Sequence, residues 1–530
     1  FVRPVAQSAE GPPSPAFTLT ADAPARPWLE VPLQPPAPGV TSSGDAYTYS
    51  AGDGSVGDAD GDGEYEIFLK WDPSNGKDNS QRGHTGNVYL DAYKLNGTRL
   101  WRIDLGRNIR AGAHYTQFIV YDFDGDGKAE IACKTADGTV DGAGKVVGDA
   151  KTDHRNEAGY ILRGPEFLTV FNGLTGAAID TVPYVPRRHP DTTDPTGDQL
   201  KAVWGDGYGN RVDRFLAGVA SLDGKTASLI MARGYYTRTV VAAWDLRGGK
   251  LVNRWTFDSA AGPESNRAYA GQGNHALSVA DVDGDGRDEI IYGAMTLDDN
   301  GRGLYNTRLH HGDALHVGDL DPTRPGLESF SPHEAPKANG GVGASFREAR
   351  TGKVLWTTPA QRDVGRGVAF DIDPLHPGAE CWAANSGKLY NAKGKVISEK
   401  RPSSMNFAVW WDGDPVRELL DRTHINKWNW KDSTETRLLT ANDCAQNNGT
   451  KANPVLSGDI LGDWREEVIW RTADSSALRI YVSTLPTPYR LVTLAQDRQY
   501  RFALAWQNVG YNQPPHPSFD MMLVLVRPAR

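Results

Sequence analysis

Hydrophobic positions along the chain fall into short runs, rich in β-branched and aromatic residues, that are separated by polar turns. Segments such as KLNGTRLW (94–101), NGLTGAAI (172–179) and ARTGKVLW (349–356) place glycine between two such runs, as is typical of β-hairpins. We find no segment of useful length in which apolar residues follow the helical spacing. The pattern therefore predicts an all-β protein built from short antiparallel strands.

Several of the turns carry an acidic pattern, which the segment SVADVDGDGRDEII (278–291) shows in full. The acidic residues that define this pattern are Asp281, Asp283, Asp285 and Glu289. Calcium prefers about six to eight oxygen ligands, so alternating carboxylates on a tight turn suit it. An EF-hand would have its bidentate glutamate where this segment has Tyr292, within a strand-like run. We therefore interpret the turn as a calcium loop of a different kind.

The acidic turn recurs along the chain in complete and reduced forms. The other copies contain Asp58, Asp60, Asp62, Glu66, Asp122, Asp124, Asp126, Glu130, Asp319, Asp321, Glu328, Asp371, Asp373, Glu380, Asp459, Asp463 and Glu467, and two weaker copies keep Asp412, Asp414 and Glu418, or only Asp223. These are eight units, and the shortest interval between two of them, from 281 to 319, is 38 residues. Repeated units of about this length are typical of β-propellers, in which each unit forms one blade. We expect an all-β, eight-bladed β-propeller with calcium-binding DxDGDG-type loops, and structural calcium in every copy except the two weaker ones.

Length and composition limit the remaining possibilities. Residues 46–530 are predicted to form the propeller, and residues 1–45, which are rich in proline and alanine, an extension that closes the last blade. The net charge is −9, with no basic stripe for nucleic acid and no apolar run long enough for a bilayer. Because loops of this kind suit extracellular calcium, we expect a secreted, extracellular monomer without its signal peptide. The cysteines Cys133, Cys381 and Cys444 allow one disulfide bond or three free thiols.

The positions just upstream of each acidic turn form a second pattern. If each turn follows the innermost strand of its blade, these residues lie at the other end of that strand, and all of them converge on the mouth of the central channel. They include Asp53, His114, Asp213, Arg214, Asn274, His275, His311, Asp313, Arg366, Asn406, Lys451 and Asn453. Ordinary inner strands would carry aliphatic residues there, so this rim predicts a functional site.

The rim residues divide into two chemical sets. Asp53, His275, His311 and Asp313 are plausible metal ligands, and the imidazoles leave zinc or manganese open beside calcium. Arg366 and Lys451 are cations that could face an anionic substrate. A metal and cations beside a uronate indicate β-elimination, because neutralising the carboxylate makes the proton on C5 more acidic. A neighbouring positive charge lowers the pKa of a lysine, which favours Lys451 over Arg366 as the base.

Longer motifs then connect the chain to a known family. These motifs are KWDPSNGKDNS (70–80), NIRAGAHYTQF (108–118), YGNRVDRFLAG (208–218), HGDALHVGDLDP (311–322), DVGRG (363–367), NNGTKA (447–452), GDWREEVIWRT (462–472) and YNQPPH (511–516). From about residue 46 to 516 the chain resembles the rhamnogalacturonan lyases of polysaccharide lyase family 11. The resemblance implies a calcium-dependent, eight-bladed propeller that cleaves rhamnogalacturonan I, a pectin polysaccharide, by β-elimination.

The resemblance also implies roles for particular residues. It implies an active-site calcium on Asp53, His275, His311 and Asp313, essential cations at Arg366 and Lys451, and sugar contacts at Asn448, Gly449, Thr450, Asp72 and Asn512. The short segment CWAANSGKLYN (381–391) favours an endolyase, in which an open cleft binds the middle of the polymer. The alternatives are an exo-acting lyase, a hydrolase with paired carboxylates, and a calcium-dependent binding propeller without activity.

Overall fold

The computed structural model describes residues 26–525 and the backbone of residues 5–6 and 9–10. The rest of the predicted 1–45 extension lies outside the described residues. Eight antiparallel sheets follow one another along the chain, and in each of them successive strands pair as neighbours. The predicted eight-bladed β-propeller is thereby confirmed.

Each of blades 1 to 7 has four strands, which follow one another along the chain from the innermost strand outward. Blades 1 to 4 comprise Tyr49–Gly57, Glu66–Pro73, Tyr89–Tyr93 and Arg99–Asp104; Phe118–Tyr121, Glu130–Ala136, Glu166–Asn172 and Ala178–Pro183; Phe215–Ala220, Ser228–Arg233, Val240–Arg247 and Lys250–Asp258; and Ser278–Ala280, Glu289–Tyr292, Met295–Leu297 and Gly303–Asn306. Blades 5 to 7 comprise His316–Gly318, Glu328–Pro332, Val342–Glu348 and Val354–Pro359; Gly367–Phe370, Glu380–Ala383, Leu389–Tyr390 and Val396–Ser398; and Phe407–Val409, Glu418–Asp421, His424–Asn429 and Thr434–Thr440.

Blade 8 joins the two ends of the propeller. It comprises Leu456–Gly458, Glu467–Thr472 and Ala477–Tyr481, and its outer strand is the N-terminal segment Trp28–Pro32. This strand contributes a row of backbone hydrogen bonds between residues far apart in sequence, which closes the ring. The division of the chain into an extension and a propeller at residue 45 stays a prediction.

Short strands pair at the margins of the blades. They are Val5–Ala6 with Ala9–Glu10, Gly39–Val40 with Ala46–Tyr47, Thr139–Val140 with Val146–Val147, and Cys444–Ala445 with the second strand of blade 8. The three cysteines are all free, with Cys133 and Cys381 buried. In residues 26–525 no helix is both long and apolar enough to cross a membrane.

Neighbouring blades are held together by apolar side chains that fill the space between the sheets. Between blades 1 and 2, for example, Phe68 and Trp101 pack in one cluster with Phe118 and Ile131. The blades approach closely at Gly57, where an added Cβ would lie 2.7 Å from Val120 Cγ1. Burial of this kind is the main favourable contribution to folding, so the core of the protein lies between its blades.

The sequence pattern did not predict the helices. These are α1 (Gly197–Trp204), α2 (Arg498–Trp506) and α3 (Met521–Val524), with 3-10 turns at Glu264–Tyr269, Gly449–Lys451 and Leu494–Gln496. Helix α2 contacts the innermost strands of blades 1, 2, 3, 4 and 8, and so fills the central channel. It is buried on nearly all sides, with only Arg498 and Arg501 of its nine residues not buried. With nine residues it is too short to give a clear helical period in the sequence, which is why it was missed.

Residues at the end of helix α2 and after it bond to the free edges of the inner strands. Gln507 exchanges two hydrogen bonds with the backbone of Ser457 at 2.8 Å each, and Asn508 Nδ2 donates to the carbonyl of Phe118 at 2.9 Å. Buried backbone groups without a partner strand need such acceptors and donors. The C-terminal segment is therefore an integral part of the channel.

Candidate active site and metal centre

Four side chains meet at the mouth of the channel. His275 precedes the inner strand of blade 4, His311 and Asp313 precede that of blade 5, and Glu334 follows the second strand of blade 5. Their ligand atoms all lie within 4.8 Å of one another. Asp313 Oδ1 is 3.5 Å from His275 Nε2, and Glu334 Oε1 is 3.5 Å from His311 Nε2. We call these four residues the metal cluster.

The hydrogen bonds of the metal cluster fit a bound cation. His311 Nδ1 lies 2.6 Å from the carbonyl oxygen of Gly273, so Nδ1 carries the proton and Nε2 presents its lone pair. Nε2 is buried and has no hydrogen-bond partner. Burial holds the pKa of His275 well below its ordinary value, which keeps the imidazole neutral. Burial and the adjacent Glu334 raise the pKa of Asp313 to about 8, as expected of paired carboxylates that lack a counter-ion.

Asp53 does not join the metal cluster, although the sequence predicted it there. Its carboxylate accepts hydrogen bonds from Lys70 Nζ at 3.1 Å, from Asn448 Nδ2 at 2.8 Å and from Asn453 Nδ2 at 3.0 Å. These amides flank Lys451, so Asp53 anchors the loop that carries the lysine. The geometry therefore favours Glu334 over Asp53 as the fourth ligand, and the ligand set itself stays a prediction.

Glu334 was missed because only residues upstream of the acidic turns were collected. In an antiparallel pair, however, the residue after the second strand lies beside the residue before the first. The backbone shows this, because the Glu334 N–H donates to the carbonyl of His311 at 3.0 Å. Applying that register to the HEAP segment (333–336) would have found it.

Tyr511 lies between the metal cluster and the two predicted cations. Its ring stacks on the imidazole of His275 with 4.4 Å between centroids. Lys451 Nζ lies 3.7 Å, and Arg366 Cζ 5.8 Å, from the centroid of the same ring. The structure thus brings Arg366 and Lys451 together beside the metal cluster. Sequence reasoning selected the adjacent Asn512 instead of Tyr511.

Asn512 is placed differently from the prediction. Its side chain is buried, with Oδ1 accepting from the Leu277 N–H at 3.1 Å and Nδ2 donating to the carbonyl of Trp506 at 2.6 Å. The amide thereby connects helix α2 to the residue just before the innermost strand of blade 4. These contacts give Asn512 a structural role, so the predicted sugar contact has no support from its position, whereas the adjacent Tyr511 lies against His275 and Lys451.

The environment of Lys451 and Arg366 suits a base and an anion-binding group. Burial lowers the pKa of Lys451, and the charge of Arg366 lowers it further. Burial also lowers the pKa of Arg366, and its Nη2 is buried without a hydrogen-bond partner. The turn of Lys451 is flanked by left-handed residues, Asn448 at φ 56° and Ala452 at φ 52°. Such strained conformations concentrate at functional sites.

Most of the other rim residues have structural partners. Asp213 bonds to Arg233, Asn274 to Ser331, Asn406 to Asp421, and Arg214 to Asn210. His114 contacts both the scaffold and the site, since its Nδ1 lies 3.5 Å from the hydroxyl of buried Tyr235 and its Nε2 lies 3.4 Å from the hydroxyl of Tyr511. The geometry therefore concentrates the chemistry on blades 4 to 6 and on the loop before blade 8.

Two cavities lie near the channel mouth. The first, about 290 Å³, is lined among others by Asp72, Asn448, Gly449 and Arg471, on blades 1 and 8. The second, about 720 Å³, extends from His311 and Glu334 along Tyr236 and Arg267, on the side of blades 3 to 5. In a ring of eight blades, blades 1 and 8 face blades 4 and 5. The two cavities thus lie on opposite sides of the channel mouth.

Of the predicted sugar-contacting residues, Asp72, Asn448 and Gly449 line the first cavity. Asn448, Gly449 and Thr450 are exposed, and a Cβ at Gly449 would meet nothing within 4 Å. Burial raises the pKa of Asp72 to about 6. Their roles in binding stay predictions.

Carboxylates of several acidic turns converge as a metal site requires. The groups Asp58, Asp60 and Asp62; Asp122, Asp124 and Glu130; Asp281, Asp283 and Asp285; and Asp283, Glu289 and Asp298 each have ligand atoms within 4.8 Å. Buried oxygens of Glu289, Asp319, Asp371 and Glu380 have no hydrogen-bond partner. Burial raises the pKa of Glu130 and of Glu328 to about 8. These turns fit cations, whereas Asp459 of blade 8 bonds to Thr493 and Leu494 before helix α2.

The chain is similar to known lyases over nearly its whole length. The model of the rhamnogalacturonan lyase family 11 C-terminal domain matches residues 28–529. Rhamnogalacturonan endolyase YesW of Bacillus subtilis is 59% identical over 518 residues, which cover 98% of this chain and 80% of the relative. Rhamnogalacturonan exolyase YesX of the same organism is 58% identical over 525 residues, covering 96% and 84%. The solved rhamnogalacturonan lyase PL11 of Bacillus licheniformis is 60% identical with a TM-score of 0.93, covering 99% of this chain and 87% of that one.

Proposed function

The chain belongs to rhamnogalacturonan lyase family 11 and is a polysaccharide lyase that acts on rhamnogalacturonan, and we propose that it is an endolyase that uses Lys451 as its base, Arg366 as its uronate-binding group and calcium at the metal cluster. The observation that carries this proposal is the arrangement at the channel mouth. There Arg366, which has a donor without a hydrogen-bond partner, and Lys451, whose pKa is lowered, both lie near the ring of Tyr511. The four residues of the metal cluster lie beside them.

The proposed reaction follows from these positions. The uronate carboxylate accepts from the free Nη2 of Arg366, and Tyr511 supports the sugar ring. Lys451 removes the proton from C5, the electron pair of that bond forms the C4–C5 double bond, and the C4–O bond to the rhamnose side breaks. The departing oxygen takes the bonding electron pair and receives a proton from water, and Lys451 returns its proton to solvent. A bound divalent cation would add positive charge to stabilise the anionic intermediate. The products are an unsaturated galacturonate end and a chain that ends in rhamnose.

The endo mode is proposed from the shape of the site. A polymer bound through its middle needs space on both sides of the cleaved bond, and one cavity borders the metal cluster while the other lies across the channel mouth, at blades 1 and 8. Sequence identity does not decide the mode, because the endo- and exo-acting relatives are 59% and 58% identical. The segment between the strands Glu380–Ala383 and Leu389–Tyr390 is a short turn, consistent with an open groove.

Calcium is proposed on ligand chemistry and on the family resemblance. The acidic turns offer oxygen ligands alone, which suit calcium better than zinc. The metal cluster combines two imidazoles with two carboxylates, so zinc and manganese are the alternatives that must be tested there. Turns that depend on calcium suit the high concentrations outside cells, and we propose a secreted monomer with residues 46–530 as its catalytic propeller.

The proposed activity is tested by following absorbance and viscosity together. With rhamnogalacturonan I as substrate, we expect absorbance of the unsaturated uronate to rise, to stop with EDTA and to return with calcium. An endolyase lowers the viscosity strongly before much absorbance has formed, whereas with an exolyase the viscosity falls only in proportion to the absorbance that has formed. New reducing ends without absorbance would indicate a hydrolase, and binding without cleavage a binding propeller.

The pH dependence of kcat tests the role of Lys451. A base must be unprotonated, so at saturating calcium kcat should rise by about tenfold per pH unit below the pKa of Lys451 and level off above it. Because burial and Arg366 lower this pKa, the plateau should begin below the ordinary lysine value of about 10.4. The measurement is kcat from pH 5 to about 10 at fixed free calcium. A kcat that falls over the lower part of this range would exclude a neutral lysine as the base.

A further inference from the structure

The acidic turn of blade 7 already contains a positive charge. Lys427 Nζ lies 2.9 Å from Asp412 Oδ2, 2.7 Å from Asp414 Oδ2 and 2.6 Å from Glu418 Oε1. The lysine side chain is 12% exposed and Glu418 is fully buried. An ammonium group has three donors, and here each of them meets a different carboxylate at the length of a charge-assisted hydrogen bond.

Blades 4 and 6 show no internal partner of this kind among the described residues. In blades 4 and 6, buried oxygens of Glu289, Asp371 and Glu380 have no hydrogen-bond partner within the described residues. In the blade 7 turn, by contrast, no buried carboxylate oxygen is without a hydrogen-bond partner, because Lys427 contacts all three acidic side chains. The arrangement in blades 4 and 6 requires a cation from solution, whereas that in blade 7 does not.

The position of Lys427 in the sheet explains the difference. Leu419 pairs with Asn426, so Lys427 on the third strand lies beside Glu418 on the second. In blade 4, Ile290 pairs with Leu297, and the equivalent residue is Asp298, whose carboxylate lies with those of Asp283 and Glu289. The position opposite the glutamate of the turn is therefore occupied by an acidic residue, Asp298, in blade 4 and by a basic residue, Lys427, in blade 7.

Blade 1 has an intermediate arrangement. Its equivalent residue is Lys94, whose Nζ lies 2.7 Å from Asp60 but 3.8 Å from Glu66. The Lys94 side chain is 34% exposed, so it can move into solvent, and Asp58 and Asp62 are not among its partners. The inference below is confined to blade 7, where the lysine is enclosed.

We propose that blade 7 binds no calcium, because the ammonium of Lys427 takes the place of the ion and holds the turn permanently. The charge is covalently attached, so neither chelation nor dilution removes it. Blade 7 should therefore stay folded when the other turns lose their ions. The loop that carries Lys451 begins directly after this blade, so part of its support becomes independent of free calcium. This inference does not depend on lyase activity.

Two substitutions test the proposal in the full-length protein. Lys427→Met removes the ammonium but retains the length of the side chain, and Asp414→Asn removes one carboxylate. Lys388→Met is the matched control, since Lys388 makes an exposed ion pair with Glu399 in blade 6 at 3.2 Å. The measurements are calcium per chain by elemental analysis at fixed free calcium, and hydrogen exchange of peptides from 407–440 with and without EDTA.

In the wild type, we expect EDTA to speed exchange in blade 4 but not in 407–440. Lys427→Met should make 407–440 sensitive to EDTA, with protection restored by calcium and one additional calcium bound per chain. Asp414→Asn should leave the calcium content unchanged. The proposal is overturned if Asp414→Asn loses one calcium or if wild-type 407–440 loses protection in EDTA as blade 4 does. The result for Asp414→Asn decides the matter even if Lys427→Met does not fold.

Discussion

Lys451→Ala is expected to lower kcat by roughly 10²- to 10⁴-fold, the usual contribution of a general base, while the binding of rhamnogalacturonan changes little. The side chain lies 3.7 Å from the ring of Tyr511, at the channel mouth but away from the protein core. Its removal leaves the hydrogen bonds of Asn448 and Asn453 to Asp53 in place, so the loop should keep its shape. The checks are kcat by absorbance and binding by calorimetry.

Two further variants separate a base from a mere positive charge. Lys451→Arg keeps the charge but raises the pKa, so it should be nearly as inactive as Lys451→Ala. Arg366→Lys should weaken transition-state stabilisation without removing the rising limb of the pH profile. Lys400→Ala, at an exposed site on the outer part of blade 6, is the matched control. If Lys451→Arg retained most of the activity, the lysine would act through its charge and another group would take the proton.

Glu334→Gln is expected to raise the free calcium needed for half-maximal activity by more than about 10- to 100-fold, since even partners of metal ligands have effects of that size. Its carboxylate faces His311 Nε2 at 3.5 Å and His275 Nε2 at 3.9 Å. An amide offers a weaker, uncharged oxygen to the cation. The measurement is lyase activity against free calcium in chelator-buffered solutions, repeated with zinc and manganese.

Asp53→Asn distinguishes the structural ligand set from the one predicted from sequence. Because Asp53 holds the loop of Lys451, its substitution should lower kcat and leave the calcium requirement nearly unchanged. Thermal unfolding should be recorded as well, since the buried Lys70 loses a partner at 3.1 Å. Glu399→Gln, at an exposed site, is the control for a loss of one carboxylate. If Asp53→Asn increased the calcium requirement as much as Glu334→Gln does, Asp53 would be a metal ligand, as the sequence predicted.

Most of the architecture could be predicted because its signals are local. Hairpin turns and apolar runs specify strands over a few residues, and the acidic turns mark one end of each inner strand. Counting those turns predicted eight blades, and the residues upstream of them included His275, His311, Asp313, Arg366 and Lys451. Chain position alone thus identified the channel mouth and three of the four members of the metal cluster.

The remaining features depend on contacts between distant parts of the chain. Asp53 and Asn448 are 395 residues apart, and their hydrogen bond decides that Asp53 anchors a loop instead of binding a metal. Helix α2 owes its position to the channel around it, and it is followed by Tyr511, which reaches the site. Lys427 neutralises the blade 7 turn only because strand pairing places it beside Glu418. The sequence by itself determined the strands, the blades and the set of side chains at the channel mouth, since these follow from local periodicity and turn chemistry. That Asp53 bonds to the loop of Lys451 and not to the metal cluster, what fills the channel and where an ammonium takes the place of an ion were decided by tertiary packing between parts of the chain that are distant in sequence.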